Sequence, residues 1–207
     1  MEGGVTHTRA EVRAYDPRDS QAAAALLYES AGGMYARYAG SRKLAERTLG
    51  RALAREGTTA SADVTRVAQL DGRVAGAMSA MAFDEWTPRA HAFLRVTLRS
   101  IPPWRWPAAL WLYRASGRAA PEPPAASFYV DSLATAAQFR RRGVARALLD
   151  DAERQAHEHG LRSVALDTWV DNRPARALYL RAGFVEVAHT PAVSGLPGGV
   201  SLLKELG

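Results

Sequence analysis

The chain has 207 residues, 47% of them hydrophobic and 23% charged, which suits a globular protein long enough to bury a real core. It contains no cysteine, which excludes disulfides, thiolate metal sites and a cysteinyl acyl-enzyme, and no uncharged apolar run nears the ~20 residues that cross a bilayer. The net charge of +6 rests almost wholly on arginine, Lys43 and Lys204 being the only lysines, and most of the arginines are scattered singly among acids, a pattern that disfavours a nucleic-acid partner.

Glu2, Arg9 and Glu11, with no apolar stretch between them, argue against a leader peptide, so the expectation is a cytoplasmic protein with no membrane partner. Val12 to Tyr15 predicts an opening strand. Asp19 or Ser20 is placed to cap a helix through Gln21 to Tyr28, which Gly32-Gly33 ends. A second helix is predicted from about Ser41 to Arg55. Val64 to Leu70 and Val74 to Phe83 flank Asp71-Gly72, the strongest short hairpin signal in the chain.

Residues 84 to 126 differ in character. Four of the five tryptophans fall here (Trp86, Trp104, Trp106 and Trp111), among the breakers Pro102, Pro103 and Pro107. Two short helices, about 89–100 and 107–117, are predicted as an insertion too small for its own core. It is readable as a lid or acceptor pocket, or as indoles gluing short helices to the core.

Phe128 to Thr135 predicts a strand, and Val144 to about His159 a helix with an apolar stripe of Val144, Ala145, Leu148, Leu149, Ala152 and Ala156. Val164 to Trp169 is the next strand. A helix over about 174–182 starts at Pro174 and stops before Gly183. Two final strands cover 184–188 and 200–203. The whole reads as one domain over 1–207.

Arg140-Arg141-Arg142-Gly143-Val144-Ala145 lies at a helix start just after a strand. Such a start presents unpaired N–H groups and the positive end of the helix dipole. Small residues at 143 and 145 let an anion approach, and arginine suits phosphate oxygens. Neither a Walker loop nor a Gly-x-Gly-x-x-Gly turn is present. The alternative for the run is a solvated basic turn. His157 and His159 point to different faces and make a poor metal pair. His189 faces either the cleft or solvent.

Arg140, Gly143 and Ala145, preceded by Phe139 and by Leu133-Ala134-Thr135, resemble the acetyl-CoA motif of the GNAT superfamily, (Gln/Arg)-x-x-Gly-x-(Gly/Ala). Asn172, Ala175, Leu178-Tyr179 and Gly183-Phe184 resemble that family's second motif. The resemblance covers about 128–188. It implies an α/β (α+β) fold with a mixed, mostly antiparallel sheet of about six to seven strands flanked by helices, the insertion preceding the cofactor-binding strand.

It also implies acetyl-CoA as acyl donor with no metal, and an N-acetyltransferase whose acceptor is a small-molecule or peptide amine. Leu133, Ala134, Thr135, Arg140, Arg141, Arg142, Gly143, Val144, Ala145 and Asn172 would then bind the donor, although Asn172 is also readable as a helix cap. Tyr179 would protonate the leaving sulfur, or simply pack beside Leu178. Asp131, an acid inside an apolar strand on the face expected for Tyr129 and Leu133, would be the base or would only orient the amine. A non-catalytic acyl-CoA-binding regulator is the alternative function. The C-terminal strands and the tryptophan segment are the surfaces where a homodimer would form.

Overall fold

The computed structural model describes residues 9–193 and 195–207; the expectation about a leader concerns residues 1–8, outside them. Seven strands form one sheet: β1 (Glu11–Ala14), β2 (Thr65–Leu70), β3 (Arg73–Ala82), β4 (Phe128–Thr135), β5 (Ser163–Trp169), β6 (Val185–His189) and β7 (Gly199–Glu205). Their order is β1-β2-β3-β4-β5-β7-β6, and among the described residues β4–β5 is the one parallel pair. The helices are α1 (Ser20–Ser30), α2 (Met34–Ala39), α3 (Arg42–Leu53), α4 (Phe83–Ser100), α5 (Trp106–Ala119), α6 (Val144–Glu158) and α7 (Arg173–Arg181).

The β2–β3 turn follows its sequence signal, since Asp71 (φ 52°) and Gly72 (φ 71°) both take the left-handed conformation that a two-residue hairpin demands. α2 had no counterpart in the sequence reading. Its six residues sit between Gly33 (φ 86°) and Gly40 (φ 95°), too short to show a period. α4 begins six residues before the expected start at 89 and takes in Pro88. That proline sits in the second turn, where it forfeits a single hydrogen bond, and Asp84 and Glu85 favour the helix start electrostatically. Asp19 flanks α1 without capping it; its carboxylate instead binds Arg13 at 2.6 and 2.9 Å.

Two apolar layers sandwich the sheet. On one face α6 packs Val144, Leu148 and Leu149 against Phe128, Val130 and Leu166, with Tyr179 and Phe184 in the same cluster. The predicted stripe of α6 is buried apart from Ala145, which is half-buried. On the other face α1 and α3 pack Leu27, Leu49 and Leu53 against Val67, Ala77 and Ala134. Gly76 on β3 permits the close seat of α6, because a Cβ there would meet Val144 Cγ1 at 2.7 Å and Leu148 Cδ1 at 3.0 Å.

Two irregularities shape the sheet's centre. β4 and β5 pair only from Phe128↔Val164 to Val130↔Leu166, while β4 stays on β3, and β5 on β7, along their lengths. The sheet therefore forks after Val130. The β3–β4 register also shifts, Ser79 opposing Ser132 while Ala80 opposes Val130, so Asp131 is the extra residue of a bulge.

Candidate active site

Asp131 and Asp167 are the first residues beyond the last rung, Val130↔Leu166, one on each arm of the fork. The sequences Tyr-Val-Asp and Ala-Leu-Asp bring the acids level because the parallel register does. Tyr129 donates its hydroxyl hydrogen bond to Asp167 Oδ1, and Trp86 Nε1 donates to Asp131 Oδ1 at 2.7 Å. The rings of Phe83, Trp86 and Tyr129 pack together at centroid distances of 5.5–6.2 Å, so the first turn of α4 walls the acid. The Tyr35 hydroxyl lies 3.5 Å from Ser132 Oγ, which is itself 3.5 Å from Asp131 Oδ2. Ser79 Oγ, buried and without a hydrogen bond of normal geometry, is a further neighbour that favours the ion.

Burial dominates the electrostatics. It pushes the Asp131 carboxyl up to about 6, partly offset by the Trp86 N–H and reinforced by the charge of Asp167. Asp167 is raised by burial too, with the Tyr129 hydroxyl opposing. Tyr179 is pushed up to about 12, first by burial and then by Asp167, and its ring packs 6.1 Å from Phe184. It therefore keeps its proton throughout the ordinary pH range.

The bulge corrects one expectation. Asp131 shares a face with Tyr129, on the α4 side, but Leu133 packs against the α6 cluster on the opposite face. Ala134 points into the α1–α3 cluster. The extra residue breaks the strict alternation that placed all three together.

At the far end of β4, ~13 Å from Asp131 by strand rise, the chain passes through a short turn (Ala137–Phe139) and enters α6. Gly143 (φ 80°) and Arg141 (φ 59°) are left-handed, and no side chain caps the helix start. The predicted arginines divide. Arg140 leans toward the Thr135 carbonyl at 3.5 Å and lines a cavity of about 570 Å³, together with Arg42, Arg73, Thr135 and one face of α1. Arg141 is exposed. Arg142 binds Asp71 at 2.9 Å and lies over the Phe139 ring. Val144 is buried, so only its backbone N–H faces the helix end. Asn172 caps α7, accepting from Ala175 N at 3.4 Å and donating to Thr168 Oγ1 at 3.0 Å.

Three features fit an extended anionic thioester donor. The β4 edge facing β5 is unpaired beyond Val130. The buried Thr135 Oγ1 lacks a hydrogen-bond partner. A Cβ at Gly143 would meet nothing within 4 Å, leaving open space over the helix start. Among the described residues no group of three or more His, Cys, Asp or Glu could hold a metal. His189 is exposed, 3.3 Å from Glu186.

A mixed sheet forked at its parallel pair, beside a glycine-led helix start, places the fold among the GNAT acyltransferases. The model of the Acetyltransferase (GNAT) family matches residues 41–184, and the chain belongs to that family. Acetyl-CoA-dependent acyl transfer is that family's general chemistry.

An Arabidopsis thaliana protein, GCN5-related N-acetyltransferase 7, chloroplastic, is 33% identical over 64 residues, 31% of this chain and 23% of the relative's length. The fold likeness is broader. An N-acetyltransferase from Staphylococcus aureus Mu50 superposes with a TM-score of 0.73 at 17% identity, covering 94% of this chain and all of the other. A protein from Corynebacterium glutamicum ATCC 13032, described as histone acetyltransferase HPA2 and related acetyltransferase, gives 0.60 at 20% identity, covering 96% and 97%.

Asp167, Trp86 in contact with Asp131, and Tyr35 were missed from sequence. Asp167 carried the same signal as Asp131, an acid ending an apolar run.

Proposed function

We propose that this chain moves an acetyl group from acetyl-CoA to a primary amine by direct attack, with Asp131 as the base and Tyr179 as the acid. The observation that carries the reading is the placement of Asp131 at the fork, level with Asp167, whose charge adds to burial in keeping the Tyr179 phenol protonated.

Acetyl-CoA supplies a thioester carbonyl for the amine nitrogen to attack and a thiolate to leave. The open edge of β4 at Leu133 and Thr135 pairs with the donor's amide groups, as an added strand would. The N–H groups of Gly143, Val144 and Ala145, with Arg140 and Arg141, hold its pyrophosphate. Arg142 is held by Asp71 and adds charge at longer range.

Asp131, ionised above about pH 6, takes a proton from the attacking amine as the C–N bond forms. Tyr179 gives its phenolic proton to the sulfur as the C–S bond breaks. The absence of cysteine leaves no thiol for an acyl-enzyme route. The acceptor is a small molecule or a peptide amine, and the rings of Trp86, Phe83 and Tyr129 wall Asp131 on the α4 side.

The test begins with calorimetric titration of acetyl-CoA into the parent and Gly143→Glu proteins. Binding by the parent and its loss in the variant is expected. An amine panel followed by thiol release then compares Asp131→Asn and Tyr179→Phe, each expected to lower turnover about 10²- to 10⁴-fold with acetyl-CoA affinity kept. Unchanged turnover in either variant would remove that residue from the chemistry.

A further inference from the structure

The insertion between β3 and β4 carries a surface that acetyl transfer does not use. Between Glu85 and Glu122 the sequence holds six arginines and no acid. Arg89 is turned inward onto Asp63 and Glu85, and Arg105 donates to the Arg37 carbonyl at 3.1 Å. Arg95, Arg99, Arg114 and Arg118 remain exposed, with no ion pair among the described residues.

Beside them stand two exposed indoles, Trp104 (79% exposed) and Trp111 (50%), while a third, Trp106 (42%), is turned back onto α4 with its Nε1 donating to the Leu98 carbonyl at 2.9 Å. Indoles are ordinarily among the more buried side chains, and two left in water within eight positions need a reason. The turn at Pro103–Arg105 runs directly into α5. Trp104, Ala108, Trp111, Arg114 and Arg118 then follow one another at three- and four-residue steps along one exposed stripe. Ala109, Leu112, Ala115 and Ala119, on an adjoining stripe of α5, are buried against the core, which leaves Trp111, Arg114 and Arg118 turned outward.

We propose that this face is a peripheral docking surface for an anionic phospholipid bilayer. An indole sits well at the headgroup level, with its apolar ring inward and its N–H among polar groups, and arginine forks match lipid phosphates. Charge argues against a second copy as the occupant, since a symmetric contact would bring the arginines of both copies together without an acid on either side. The expectation of no membrane partner rested on the lack of a leader and of a spanning segment. No helix of the described chain is long and apolar enough to cross a membrane, and a surface contact needs none.

The test is flotation of the full chain with vesicles of phosphatidylcholine alone and of phosphatidylcholine mixed with phosphatidylglycerol. The expected result is binding to the anionic vesicles, weakened by salt, with a blue shift of tryptophan emission. The pairs Trp104→Ser with Trp111→Ser and Arg114→Ser with Arg118→Ser should each weaken partitioning at least about tenfold. Circular dichroism confirms that the variants fold.

No binding to anionic vesicles, or binding indifferent to both pairs, overturns the proposal. So does sedimentation as a dimer that the tryptophan pair dissolves, which would make a second copy the occupant. Tighter binding to duplex DNA than to vesicles would overturn it in favour of nucleic acid. None of these readouts depends on acetyl transfer.

Discussion

Asp131 has two opposed effects at the scale of a single residue. Its folded-state carboxyl titrates at about 6, against about 3.9 for a free aspartate, so the fold prefers it neutral. The linked stability is fully present below about pH 4 and is lost as pH rises through about 6; above that, holding the ion costs roughly 3 kcal/mol. Asp131→Asn removes the charge while keeping the shape and the acceptor for Trp86. The expected outcome is a protein that melts several degrees higher at pH 7, with the gain gone near pH 4, and that has lost turnover. Paired thermal melts at the two pH values check it, and an unchanged melting temperature at pH 7 would mean the carboxylate is well solvated. In the parent, kcat/KM should fall below about pH 6 as the base becomes protonated.

At the scale of elements, α4 and α6 each act on the site through one small contact. Trp86 reaches Asp131 from the first turn of α4, and its N–H favours the ionised acid. Trp86→Phe keeps a ring but deletes the donor, so the acid limb of the pH–rate profile should move upward, with activity returning at higher pH. A limb that stays in place would reduce Trp86 to a packing role. On the other face, Gly76→Ala would drive a methyl into Val144 and Leu148 at the start of α6. We expect about 1–3 kcal/mol of destabilisation, measured by urea unfolding, together with weaker acetyl-CoA binding, because the displaced residue Val144 opens the helix that cradles the donor.

Much of this was legible from local chemistry. β4 has the bounds its apolar run predicted, and Pro174 and Gly183 frame α7 as expected. Features that depend on distant partners were not legible. α2 is held by packing against α3 and α5 and has too few residues to show a period. The bulge at Asp131 exists only relative to β3, so counting alternate residues along β4 put Leu133 on the wrong face. Asp167 gains meaning only from its parallel register with β4.

For the molecule as a whole, the fork divides the sheet into β1–β4 and β5–β7, joined through three rungs of parallel pairing. α6 bridges the division, packing on β3 and β4 on one side and on Val164 and Leu166 on the other. A donor lying between the arms would add backbone pairing where the strands have none. Binding to the folded state alone stabilises by RT ln(1 + [L]/Kd), about 2.7 kcal/mol at a hundredfold excess over Kd. For a chain of this size that corresponds to roughly 5–10 °C in Tm. Acetyl-CoA should therefore raise the melting temperature and slow amide exchange most strongly in β4 beyond Val130. Gly143→Glu, which places an acid at the helix start, should abolish both effects. Protection confined to the α6 start, with β4 exchanging as before, would mean that the donor's phosphates are held while its thioester arm stays outside the fork.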